Sequence, residues 1–210
     1  MTAAIPDAVL AENPLARAIS SGSITPGDLG PLAAHLDALV ASNVASTQLM
    51  TDRHHNTAVA ELYTLSHQSE QEAHRLLQPF VSAHPRPSEP ASGLDVYAMA
   101  YPAHIARIAV IGSPWDYPVC FRHLVHASTR CYRQLREVLA ETGVFTDEQL
   151  EHFVYFGHVD DAEIQAIDAL LATAPPAALT PALELARHLA VFEDLFWQRM
   201  LALCAPDPTD

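Results

Sequence analysis

The chain has 210 residues, half of them hydrophobic, with 11 basic and 25 acidic side chains and a formal net charge of -14. That length fits one domain, since domains run to roughly 100–200 residues. The apolar content excludes global disorder, and the charge argues against a nucleic-acid or anionic-membrane partner. No apolar run approaches the roughly 20 residues of a membrane span. The first residues lack the basic start and apolar block of a signal peptide. Three cysteines without framework spacing fit a reducing cytoplasm.

The pattern is helical almost throughout, predicting an all-α bundle of about seven helices in a single domain, with frayed ends at 1–6 and 205–210. A short first helix is expected over 7–20. Thr25, Pro26 and Asp28 then supply a cap, a first-turn proline and a negative charge for a second helix ending near Met50. A third covers 56–82. His84 to Gly93 reads as a loop because it carries three prolines. A fourth helix fits 94–111 and a fifth 119–141. Thr146 with Gln149 forms a capping-box pattern that opens a sixth, to Ala172. The last runs from Thr180–Pro181 to about Cys204.

Polar side chains on apolar helix faces mark the candidate site. On the last helix Glu193 lies among Ala186, Leu189, Phe196 and Met200. A buried carboxylate must be paired, protonated or bound to something. On the fourth helix Tyr97 and Tyr101 share a face with His104. Asn43 sits on the leucine face of the second helix, and Ser128 and Tyr132 on the inward face of the fifth, whose His123 and His126 are expected to point outward. On the third, Tyr63, His67, Glu70 and His74 form a stripe beside the apolar face Leu62, Leu65, Ala73, Leu76 and Phe80. Glu70 and His74, one turn apart, can reach one metal ion. On the sixth, Asp160 and Asp161 join the apolar face, His158 and Asp161 form an i,i+3 pair, and Gly157 permits close approach of a backbone or ligand. Phosphate loops, Cys-x2-Cys zinc pairs and nucleophile elbows do not occur in the sequence.

Four segments carry a family resemblance: NPLARAISSGSITPGDL (13–29), SHQSEQEAHRLL (66–77), FVYFGHVDDAEIQAID (153–168) and VFEDLFW (191–197). In order and pattern they resemble the haem-oxygenase-like superfamily, which includes TenA-like thiaminases, pyrroloquinoline-quinone synthases and non-haem iron oxidases. The resemblance implies a haem-oxygenase-like bundle, often dimeric, and hence a homodimer. It implies an oxygenase-type oxidoreductase acting on a small amino-acid-like metabolite in a specialised biosynthetic pathway. Glu193 matches the TenA-type acid. At the iron-oxidase ligand positions this chain carries His67 and His74, with Glu70 between them. On the later helix His158 is retained, while Ala162 and Gln165 replace an acid and a histidine.

The implied cofactor is therefore iron held mainly by histidine, with haem preferred to a mononuclear or di-iron non-haem site. His74 and His104 are the axial candidates. Glu70, His74, His158 and Asp161, with His67, are the non-haem set. Glu193 and His104 are the expected catalytic groups, and Asn43, Tyr97, Tyr101, Ser128 and Tyr132 the substrate-binding ones. Two alternatives accompany this reading. One is a cofactor-free enzyme using Glu193 and His104 as acid and base. The other is a non-enzymatic small-molecule-binding protein.

Overall fold

The computed structural model describes residues 5–10, 12–84 and 93–206. They form eight α-helices: α1 Pro14–Ser20, α2 Gly30–His54, α3 Ala60–Ala83, α4 Ala100–Ile111, α5 Asp116–Glu141, α6 Asp147–Phe156, α7 Asp161–Leu171 and α8 Pro176–Cys204. A single 3-10 turn, Pro26–Leu29, leads into α2. Among the described residues there is no strand, and no helix is long and apolar enough to cross a membrane. The expected loop at 84–93 falls mostly on residues 85–92, which lie outside the described residues, as do the chain ends 1–4 and 207–210.

Local chemistry sets the helix ends. Asn13, not Asp7, starts α1: its side-chain oxygen accepts from the backbone N–H groups of Leu15 and Ala16 at 3.0 and 3.1 Å. The segment before it lies along α5, where the Ala8 N–H donates to the His123 carbonyl at 2.7 Å. That segment covers His123, whose ring nitrogen Nδ1 bonds the Pro6 carbonyl, so His123 is buried rather than outward-facing. Thr25 and Asp28 form the expected reciprocal cap, on the 3-10 turn. At the other end of α5, Gly143 adopts φ +66°, a left-handed conformation that stops the helix at little steric cost.

The expected sixth helix is two helices. Gly157 ends α6, and the Asp160 side chain caps α7 by accepting from the Ala162 N–H at 2.9 Å. The reason is tertiary. A Cβ at Gly157 would stand 2.6 Å from the Phe153 carbonyl oxygen and 3.4 Å from the Arg133 Cα, so the chain grazes α5 there. Arg133 Nε donates to the Gly157 carbonyl at 3.2 Å and satisfies an end group of α6. The break rotates Asp160 and Asp161 out of the α6 phase, and both are exposed.

α2 pairs with α3 and α5 with α8; α6 closes over α3 and α5, and α4 packs against α2 and α8. One continuous core fills the bundle. On one side of it Phe80, Phe153, Tyr132, Phe156 and His152 meet edge-on or tilted, with ring centroids 5.0–6.4 Å apart, and Tyr132 and Phe156 also border the open space beside them. That space is a cavity.

Candidate functional site

The cavity has a volume of about 860 Å3 and lies between α2, α3, α5 and α8, with Tyr101 of α4 on its wall. Rows of side chains at i,i+4 spacing aim into it, because such residues stack on one helix face. These rows are Leu39 and Asn43 on α2, Leu62, Ser66 and Glu70 on α3, Leu124, Ser128 and Tyr132 on α5, and Leu189, Glu193 and Trp197 on α8. Its mouth opens where exposed Glu61 and Leu65 of α3 face Tyr155, His158, Asp160 and Glu163 around the α6–α7 link. Leu65, 55% exposed, belongs to this rim rather than to the core face, and Tyr63 takes its place in the core.

Two carboxyl groups stand in the wall. Glu193 is 5% exposed and accepts a hydrogen bond from the Ser128 hydroxyl at 2.7 Å. Burial pushes its carboxyl up to about 7, against the opposing pull of Ser128 and Trp197. The Trp197 indole N–H has no hydrogen-bond partner of good geometry, yet lies near enough to favour the anion. Glu70 is likewise raised to about 7 by burial. Its Oε1 accepts from Asn43 Nδ2 at 3.4 Å, while its Oε2 and the Asn43 Oδ1 are shut away from solvent without a partner. Glu70 keeps some accessible surface as a residue, but its unpartnered oxygen keeps none.

Burial and both carboxylates together hold the Tyr101 and Tyr132 phenols well above their ordinary range, so these remain neutral donors. Tyr117 and the Cys120 thiol, also on the wall, are raised by burial, which leaves Cys120 inert as a nucleophile. Of these two, Tyr117 precedes the expected start of the fifth helix at Val119, whereas Cys120 lies inside that helix, one turn before Leu124. Reading Pro118 as a first-turn proline brings Tyr117 into the helix as well.

The sequence candidates separate into two groups. Asn43, Glu70, Tyr101, Ser128, Tyr132 and Glu193 come together on the wall, and His158 reaches the rim. The others do not join them. Tyr97 is 61% exposed beneath the Arg199 guanidinium, because α4 starts only at Ala100 and the earlier phase does not continue. His104 lies between α4 and α8 against Phe192 and His188; burial, then Arg107, lowers its basicity. His74 Nε2 pairs with Asp37 at 3.1 Å on the outer side of α3. His67 stands 3.3 Å from the Thr47 hydroxyl on α2. Asp161 is in the exposed first turn of α7.

The iron donor sets can be tested against this placement. Among the described residues no three His, Cys, Asp or Glu side chains are arranged to hold a metal ion. Neither axial candidate, His74 or His104, lines the cavity, and no described Arg lines it to meet the propionates of a haem. Of the residues expected to hold iron, only Glu70 and His158 line the cavity, one on its inner wall and one at its rim, so neither the expected axial pair nor the four-residue set is assembled there. No family model, no curated protein and no solved structure matches this chain.

Proposed function

We propose that this protein is an enzyme that binds a small, mostly apolar molecule in the bundle cavity and transfers protons to and from it with Glu193 and Glu70. One observation carries the reading: two buried carboxyl groups border a single large apolar cavity, each raised to about 7 by burial and each bonded to one neutral donor. A core that served only packing would gain nothing from them, because unpaired buried carboxyls cost stability. A general acid or base works best when its pKa lies near the working pH, and burial brings both groups there.

In this reading Glu193 is the principal acid–base group. The Ser128 hydroxyl occupies one lone pair of Oε2 and fixes the plane of the carboxyl. Tyr101 and Tyr132, neutral at any working pH, hold the polar part of the bound molecule and stabilise negative charge that develops on it. The leucine and phenylalanine wall excludes water from the transfer.

The test is turnover of unidentified substrates. The purified chain is incubated with a small-metabolite extract, and consumed species are followed by mass spectrometry, beside the Glu193→Gln variant. The expected result is at least one species consumed by the wild type and spared by the variant. Consumption by neither, or equally by both, overturns the reading.

A further inference from the structure

The charge of the cavity narrows what can enter it. Five residues that line it carry carboxyl groups: Glu61, Asp160 and Glu163 at the mouth, Glu70 and Glu193 inside. The chain has no lysine, and no described arginine lines the cavity. A low-dielectric cleft edged by one sign of charge focuses its field and concentrates ligands of the opposite sign. An anionic ligand would pass three carboxylates and then find no cation to replace its hydration shell.

The inner wall adds an independent observation. Asn43, 7% exposed, and Glu70 each present a buried oxygen, Oδ1 and Oε2, that no donor of the chain satisfies. Buried acceptors without donors are rare in folded proteins and call for a partner. With Glu70 ionised both unsatisfied atoms are acceptors, so what they lack is N–H or O–H, not another oxygen.

We infer that the ligand is a lipophilic amine, bound as its ammonium ion, with the N–H donors on Glu70 and Asn43 and the hydrocarbon body against the leucines and Phe196. An ammonium supplies three donors, enough for both orphaned oxygens, together with the positive charge that a buried carboxylate requires. A neutral alcohol supplies one donor and no charge. The apolar wall, with Leu39, Leu124, Leu189 and Phe196, takes the rest of the molecule. This inference rests on the cavity being the ligand site, as proposed above, and adds the class of molecule.

Three probes of one shape separate the alternatives: 4-phenylbutylamine, 4-phenylbutanol and 4-phenylbutyrate, each titrated calorimetrically into the full chain at neutral pH. The amine is expected to bind about tenfold or more tightly than the alcohol, with the carboxylate weakest. Glu70→Gln, which keeps the size of the side chain and removes its charge, should abolish the preference for amine over alcohol. Equal binding of amine and alcohol, or tightest binding of the carboxylate, overturns the amine assignment and leaves the cavity as a ligand site. Binding by none of the three removes the amine assignment and the ligand site together. Should Glu70→Gln fail to fold, the ranking of the three probes on the wild type still decides the question.

Discussion

His152 and the pair Glu70 and Glu193 are ionisable groups held inside the same bundle, and their surroundings differ in one respect. His152 does not line the cavity: rings stand between it and the open space. The imidazole is 0% exposed, bonds the Ala73 carbonyl at 2.9 Å through Nδ1, leaves Nε2 without a partner, and is ringed by Tyr132, Phe153 and Phe156. Around Glu70 and Glu193 the core is hollow. In both regions burial drives the group toward its neutral form: His152 down to about 4, the two acids up to about 7. A shifted titration is therefore the common consequence of burial and does not itself mark a site. The adjoining void does, because only there can another molecule reach the group.

The contrast can be broken by substitution. The largest expected effect lies beside His152, where Phe153→Ala should leave a hole among packed rings and cost about 3–5 kcal/mol in chemical denaturation. A loss below about 1 kcal/mol would mean that free space reaches Phe153 as well.

Next comes the pH dependence. Each acid is neutral in the folded chain up to about pH 7 but ionises near 4.5 when unfolded. Its contribution is fully present below pH 4.5 and is lost as pH rises to 7, by about 3 kcal/mol per group. His152 runs the other way. Between pH 6.5 and 4 only the unfolded chain takes up its proton, so acidification through that window costs about 3 kcal/mol. The opposing slopes partly cancel. Glu193→Gln should flatten the loss of stability between pH 4.5 and 7, and His152→Phe should steepen it. Denaturant midpoints across that range read both, and parallel curves for the two variants would contradict the assignment.

Smaller effects sharpen the boundary of the hollow region. Gly157→Ala sets a methyl against the Phe153 carbonyl oxygen and should cost about 1–3 kcal/mol by displacing the α6–α7 link from α5. Leu65→Ala at the rim should change stability by no more than about 0.5 kcal/mol, since the side chain is already half in water. A larger loss in a thermal melt would mean that the cavity mouth is closed over Leu65 in solution.

Much of the fold was legible. Helix period, prolines and caps predicted an all-α bundle and placed α2, α3, α5 and α8 within a few residues at most ends. The inward rows on long helices were legible too: Asn43, Ser128, Tyr132 and Glu193 follow from a wheel with period 3.6 that runs unbroken for many turns. The errors fall where that period stops. Tyr97 precedes the first turn of α4, and Asp160 and Asp161 follow a break that Gly157 makes against Arg133. His123 was misread for another reason: the segment that buries it lies over 110 residues away in the chain.

The candidate site was legible only in part, for the same physical reason. A sequence declares which side chains on one helix point inward, because that depends on local geometry and on the cost of exposing apolar surface. Glu193 is identified in that way, whereas Glu70 enters as a metal-ligand candidate on a stripe beside the apolar face. Whether inward side chains from different helices meet depends on crossing angles and on which residues fill the space between them. Only the folded chain set Glu70 beside Asn43, turned His74 to Asp37, left His104 outside the cavity wall, and kept the middle of the bundle empty.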